Sequence, residues 1–247
     1  MDAPPDAQAD AAPDAPLRLA SWNIRAGLGS DLRRDAERVL TAIAAMAPDL
    51  IALQEADFRM GARPTALPRA LIREITGMEP LGIGANEVSL GWHGNAILAR
   101  PGLALAGVER VDLPGLEPRG AVIADIAGAF PLRLVAAHFG LLRRSRRLQF
   151  DHVRAALDRL DPLPTVITGD FNEWSRKVGL GRIAKHFTLV TPRGTYPARL
   201  ARAPLDRMAH TDDLSVSLID LPRGRAPFAS DHLPILAEVS PARPNPA

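Results

Sequence analysis

Cysteine is absent from the 247 residues, which excludes disulfides and thiolate metal sites and leaves the redox compartment open. Aromatic residues make up only 4%, too few for a broad surface that stacks single-stranded nucleic acid or for an aromatic hairpin that dips into a membrane. No run approaches the roughly eighteen apolar residues of a membrane span. Lysine is nearly missing, since of 30 basic residues only Lys177 and Lys185 are lysines. The first sixteen residues carry no basic side chain and no apolar segment, so they do not read as a secretory signal. They are rich in Ala, Pro and Asp, a composition that predicts a disordered tail over 1–16 ahead of one domain over 17–247. The resulting expectation is a cytoplasmic monomer with no stable membrane insertion.

Hydrophobic residues reach 47%, enough for a sizeable core in a single enzyme-sized domain. The formal net charge is +2, with 28 acids against 30 bases. Four of the acids, Asp2, Asp6, Asp10 and Asp14, lie in the tail, so the remainder is mildly basic. Nearly all its cations are arginines, whose planar fork suits bidentate phosphate contacts, although genome composition yields the same excess.

Several apolar segments end abruptly in polar side chains. The β-branched segment 164–167 runs into Thr168-Gly169-Asp170-Phe171-Asn172-Glu173-Trp174, which places a carboxylate and an amide where a strand ends. In the same way 17–22 leads into Asn23, 50–53 into Gln54 and Glu55, and 132–137 into His138, while Ser230-Asp231-His232 precedes a final apolar run. In α/β folds such strand ends are where ligands and chemistry gather. A helix is predicted over 31–46, with Leu32, Ala36, Val39, Leu40 and Ile43 on one face, and another opens at Arg143 with Leu148, Val153, Leu157 and Leu160 as its buried side. Short strands near 83–90, 94–99, 120–126 and 132–138 are assigned to one sheet, and those near 164–169, 215–219 and 233–239 to a second.

Taken in order, Ser-Trp-Asn at 21–23, Leu-Gln-Glu at 53–55, Gly-Asn-Ala-Ile-Leu at 94–98, Ala-His-Phe-Gly at 137–140, Gly-Asp-Phe-Asn at 169–172 and Ser-Asp-His at 230–232 resemble the endonuclease/exonuclease/phosphatase superfamily. Thr-Tyr-Pro at 195–197 and Pro-Leu-Asp-Arg at 204–207 add to the likeness. The resemblance implies the deoxyribonuclease I-like fold, an α/β four-layer sandwich of two packed mixed sheets flanked by helices. It also implies phosphoester hydrolysis with magnesium, for which manganese can substitute. Glu55 is the first implied metal ligand, with Asn23 and Asp231 holding or orienting the ion directly or through water. A hard cation of this kind takes oxygen ligands and polarises a phosphoryl oxygen. Asp170 is implied to orient or deprotonate the attacking water, Asn172 to position the phosphate and His138 to donate to a non-bridging oxygen. His232 competes with Asp170 for the role of base, since an imidazole titrates at about 6.5, and Asp206 orients its ring. His93, His152, His186 and His210 receive no role.

Arg143, Arg144, Arg146 and Arg147 cluster at a predicted helix N-terminus, against its dipole, which points to an anionic partner nearby. Arg143 and Arg144, with Arg119, are therefore the candidate phosphate contacts. Two residues after Asn23 stands Arg25, where abasic-site endonucleases of the superfamily usually carry an acid, and His138 stands where they place a tyrosine, so that branch is disfavoured. A phosphodiesterase acting on nucleic acid is the leading expectation. A hydrolase of phospholipid head groups or small phosphoesters is the alternative, and a non-catalytic binding module comes last because every implied catalytic position is filled.

Overall fold

The computed structural model describes residues 15–222 and 226–243, with backbone alone for 226 and 227. The predicted tail, save Ala15 and Pro16, lies outside the described residues. One six-stranded sheet holds β1 (Leu17–Asn23), β2 (Leu50–Gln54), β3 (Glu79–Pro80), β4 (Ala96–Ala99), β11 (Leu214–Ile219) and β12 (Ile235–Pro241), in the order β11-β12-β1-β2-β4-β3. The other holds β5 (Ala104–Leu113), β6 (Arg119–Ala127), β7 (Leu132–His138), β8 (Thr165–Asp170), β9 (Thr188–Val190) and β10 (Asp206–His210), in the order β5-β6-β7-β8-β10-β9. Each sheet is built around one parallel pair, β1 with β2 and β7 with β8, and its other pairings are antiparallel. Parallel neighbours need a crossover, supplied by α1 (Ala36–Met46) and α3 (Arg143–Leu157), while α2 (Arg69–Thr76) packs beside α1.

Alternation along the strands sorts the side chains into layers. Leu19, Leu50, Ala52, Val122, Leu134, Ala136, Val166, Met208 and Ile235 form a core between the two sheets. Their neighbours in sequence face outward: Ala20, Trp22, Ile51 and Leu53 pack on Val39, Leu40 and Ile43 of α1, and Val135, Ala137 and Ile167 pack on Phe150 and Val153 of α3. The expected four-layer α/β sandwich is thus the observed one. No described helix is long and apolar enough to cross a membrane.

Local details depart from the sequence pattern for identifiable reasons. The first helix begins at Ala36 rather than at 31, because Asp35 caps it, its carboxylate accepting from Arg38 N at 2.9 Å, and Leu32 sits at φ 62° on an exposed turn. The segment 83–90 is a loop, pinned where Asp57 accepts from Leu90 N and Gly91 N at 2.8 and 3.1 Å. In α3 the buried face is Gln149, Phe150, Val153 and Ala156, and Leu148 is exposed. The division of strands between sheets also differs. Segment 165–170 joins 119–127 and 132–138 because α3 returns it parallel to β7, whereas Ala96–Ala99 pairs antiparallel with β2 in the sheet of β11 and β12.

Candidate active site

The rule that fills the core also assembles the site. Leu19 in β1, Leu134 and Ala136 in β7, Val166 in β8 and Met208 in β10 face the opposing sheet, so Asn23, His138, Asp170 and Asp206, each an even number of residues away, point the same way at the strand ends. Register aligns them, with His138 opposite Asp170 and Asp206 opposite Asp170. Gly169 is required here. Its φ is 141°, and an added Cβ would lie 1.9 Å from the Ala137 carbonyl oxygen. His232 reaches the same point from the loop before β12, held by Trp22 Nε1 donating to its carbonyl at 2.8 Å and by its own N–H donating to Ser230 Oγ at 3.2 Å.

Asp170 is the hub and is only 2% exposed. Its Oδ1 accepts from Asn172 N at 2.9 Å, and its Oδ2 accepts from Asn23 Nδ2 at 3.0 Å. The same Oδ2 lies 3.3 Å from His138 Nε2 and 3.8 Å from His232 Nε2. Burial and the neighbouring negative charge of Asp206 push the Asp170 carboxyl up to about 7, against the pull of His232 and the two hydrogen bonds. His232 Nδ1 pairs with Asp206 Oδ2 at 2.8 Å. Desolvation opposes the imidazolium, but the charges of Asp206 and Asp170 and the Asp206 hydrogen bond outweigh it and raise His232 to about 10. The ring is therefore protonated at neutral pH.

His138 is driven the other way, well below the usual imidazole range, by complete burial and by the charges of Arg119, His232 and Arg59. Arg119 Nη1 lies 2.7 Å from both its ring nitrogens, while Glu117 Oε2 accepts from Arg119 Nε and Nη2 at 3.0 and 2.6 Å. Arg119 is thus a buried group behind His138. Asn172, left-handed at φ 50°, donates through Nδ2 to the Phe139 carbonyl at 2.8 Å.

Glu55 and Asp231 each follow a residue that meets Asn23: Gln54 by register, and Ser230 through a hydroxyl that donates to the Asn23 carbonyl at 2.7 Å. β1 and β2 end side by side with Asn23 opposite Gln54, and Ala26 N donates to the Glu55 carbonyl at 2.8 Å. Two arginines attend the carboxylates: Arg59 Nη2 lies 3.0 Å from Glu55 Oε1, and Arg25 Nε lies 3.4 Å from Asp231 Oδ2. Arg59 is 68% exposed along its side chain, and the Glu55 oxygens it meets are of the type a hard cation takes. Among the described residues Asp170, Asp206 and His232 bring ligand atoms within 4.8 Å of one another and could also hold an ion. Asp206 Oδ1 is buried there without a partner, yet a protonated His232 offers no lone pair. Arg143 and Arg144 stand exposed on the first turn of α3, which has no acidic residue and no side-chain cap, and among the described residues no hydrogen bond or ion pair engages either guanidinium.

The motifs contain Tyr196 and Arg207 without giving either a role, and they leave out Arg59. A spacing of four from Glu55 is the signal that would have found Arg59, whereas the inward course of Arg207 had no signature beyond its place after Asp206.

Comparisons with known proteins agree with this fold. The model of the endonuclease/exonuclease/phosphatase family matches residues 20–232. The uncharacterized protein YbhP of Escherichia coli strain K12 is 28% identical over 163 residues, which cover 60% of this chain and 63% of that protein. The chain thus spans less than two thirds of the length of the curated relatives it matches. Among solved structures, D. rerio TDP2 complexed with single-strand DNA product superposes with a TM-score of 0.66 at 18% identity, covering 92% of this chain and 100% of that one. Bacteroides thetaiotaomicron VPI-5482 mannosyl-6-phosphatase Bt3783 superposes with a TM-score of 0.68 at 18% identity, covering 90% and 99%.

Proposed function

Since the chain belongs to the endonuclease/exonuclease/phosphatase family, whose members are phosphoester hydrolases, we propose that it is a phosphodiesterase acting on nucleic acid with a divalent cation, magnesium or manganese. The observation that carries this is the cluster at the strand ends, where the buried Asp170 carboxylate accepts from Asn23 and Asn172 and lies 3.3 Å from His138 Nε2 and 3.8 Å from His232 Nε2, with burial and charge shifting the three groups in different directions. Pairs of groups whose surroundings push their pKa values apart divide acid from base work.

In that division Asp170 is the base. A carboxylate raised toward neutrality can take a proton from water at working pH, and Asn23 and Asn172 hold its two oxygens so that the free lone pairs keep one direction. His232 is the charged donor, with Asp206 fixing the ring so that Nε2–H faces the place where negative charge grows on the phosphoryl group. Neutral His138 offers a weaker donor at the same locus, and Arg119 acts through it as a positioning residue rather than on the phosphate. Glu55 is assigned as the principal metal ligand, with Asn23 and Asp231 beside it, and the bound ion would polarise the phosphoryl oxygen. Arg143 and Arg144 are assigned to the flanking phosphates of a polyanion.

The test is hydrolysis of bis(p-nitrophenyl) phosphate and nicking of supercoiled plasmid with magnesium, manganese or chelator. Both are expected with metal and neither with chelator. Turnover of the small diester without nicking would move the substrate to phospholipid head groups or small phosphoesters, and silence on both would return a binding module. In the same assay Glu55→Gln should raise the magnesium concentration for half-maximal rate by about tenfold or more, so that excess metal partly restores turnover. An unchanged metal response would remove Glu55 from the ligand set.

Reversing the charge of Arg143 and Arg144 to glutamate should weaken plasmid binding and flatten its salt dependence by up to about two units of log–log slope. A filter-binding series across salt concentrations reads this directly, and an unchanged slope would free both residues from the phosphate path.

A further inference from the structure

We propose that Trp174 is a stacking platform for a nucleobase of the substrate, and so a residue that sets specificity; this rests on the phosphodiesterase activity proposed above. Trp174 follows the Gly-Asp-Phe-Asn-Glu segment, four residues beyond Asp170, and is 62% exposed. In a chain with 4% aromatics, Phe228 is the one other strongly exposed aromatic ring among the described residues. The indole meets Tyr196 edge to face at 5.7 Å between centroids, and Tyr196 in turn lies 5.0 Å from the His232 ring. A line of three rings therefore runs from solvent to the imidazolium.

The loop that carries Trp174 is fixed on both flanks. Arg207, fully buried, donates through Nη2 to the carbonyls of Glu173 and Ser175, each at 2.8 Å. The Glu173 carboxylate accepts from Ser175 N at 3.0 Å and from Arg146 Nη2 at 2.7 Å. Burying a cation whose Nε and Nη1 find no partner is costly. The fold accepts that cost where it holds the two carbonyls bracketing an exposed indole. A fixed, solvent-facing ring loses little further freedom when a planar partner stacks on it. A base fits better than a lipid tail, because the exposed cations Arg176 and Lys177 follow closely in the chain and suit a phosphate-bearing partner, while the T-shaped contact with Tyr196 leaves the indole 62% exposed. Stacking on one aromatic face is tolerant of sequence, since every base has a π-face.

Wild type, Trp174→Ala and Trp174→Phe are compared on thymidylyl-(3′→5′)-thymidine and on glycerophosphoethanolamine, a diester without a ring. Trp174→Ala is expected to lower kcat/KM on the dinucleotide by about tenfold to a hundredfold, through KM, as loss of one base stack does. The ring-free diester should be unaffected, and Trp174→Phe should restore most of the loss. Equal losses on both substrates, or none, overturn the platform. Should the dinucleotide not be turned over, the phosphodiesterase activity is what fails, and the platform is judged without turnover by tryptophan emission titrated with adenosine 5′-monophosphate in chelator. Saturable quenching is expected in the wild type, but not with ribose 5-phosphate and not in Trp174→Phe. Quenching that survives Trp174→Phe, or is absent from the wild type, overturns the proposal, as does a blue shift with neutral phosphatidylcholine vesicles in place of any nucleotide response, which would mark a lipid-facing residue.

Discussion

Asp170→Asn should lower hydrolysis by about 10²- to 10⁴-fold, the range lost with a positioned general base, and should leave the protein folded. The amide keeps the size of the carboxyl and its one oxygen can still accept from Asn172 N, while its nitrogen replaces the oxygen that accepted from Asn23 Nδ2, so the Asn23 amide must turn its own oxygen toward it. Stability supplies a second readout with a definite sign. The folded carboxyl is pushed up to about 7, above the 3.8 of a free aspartate side chain, so between those values the folded state holds a proton that the unfolded state has lost. Unfolding free energy then falls as pH rises through that window. The asparagine variant lacks this slope. Its melting temperature should exceed that of the wild type most clearly above pH 7, in chelator, and the difference should shrink toward pH 4. A variant that is inactive but shows no such crossing would mean that Asp170 is not a buried, raised carboxyl.

Asp206→Ala should be the most disruptive single change in the site. It leaves the buried His232 ring without its Nδ1 partner, and breaking a buried charged pair by removing one member costs roughly 3–5 kcal/mol. Loss of the orienting carboxylate should cut the rate on the order of 10⁴-fold, as it does where an aspartate fixes a catalytic imidazole. His232 in the fold is raised to about 10, against the 6.5 of a free imidazole side chain. The stabilisation it contributes is fully present below 6.5 and is lost as pH rises toward 10. The gap in stability between wild type and Asp206→Ala should therefore be widest at pH 6 or below and should narrow by pH 10, which urea melts at the two ends would show. The residual activity should carry its own signature. Asp206 is among the causes that raise Asp170, so the acidic limb of the pH–rate profile should move to lower pH. A gap that is constant with pH would mean that His232 is not held as an imidazolium.

These effects trace to features of unequal visibility along the chain. Strand ends carrying Asn23, Glu55, His138 and Asp170 were legible, because a strand needs an apolar stretch of five to seven residues and a polar terminus interrupts it sharply. The two-sheet sandwich followed from the same stretches together with the resemblance of the motifs. Alternation even fixed which residues would share a face, since side chains two apart point the same way whatever the sheet does next. Cap chemistry is readable at Asp35 in principle, yet the hydrophobic spacing from Leu32 masks it and predicts a start several residues too early.

Other properties depend on which segments meet in space, and no local pattern encodes that. The assignment of 165–170 to the sheet of β7 depends on the course of α3, and the approach of His232 to Asp206 joins residues 26 apart in the chain, one at a strand end of one sheet and the other in the loop that leads into the opposite sheet. Charge states follow the same logic. His138 and His232 are chemically identical in the sequence, but burial beside Arg119 keeps one neutral, and burial between Asp206 and Asp170 keeps the other charged. An imidazole responds to the field of its surroundings, and that field is set by contacts between distant strands. The sequence therefore settled which side chains stand at the strand ends, because periodicity is a local property of the backbone; packing of one sheet on the other settled their protonation, because electrostatic interaction depends on distances that only the folded chain defines.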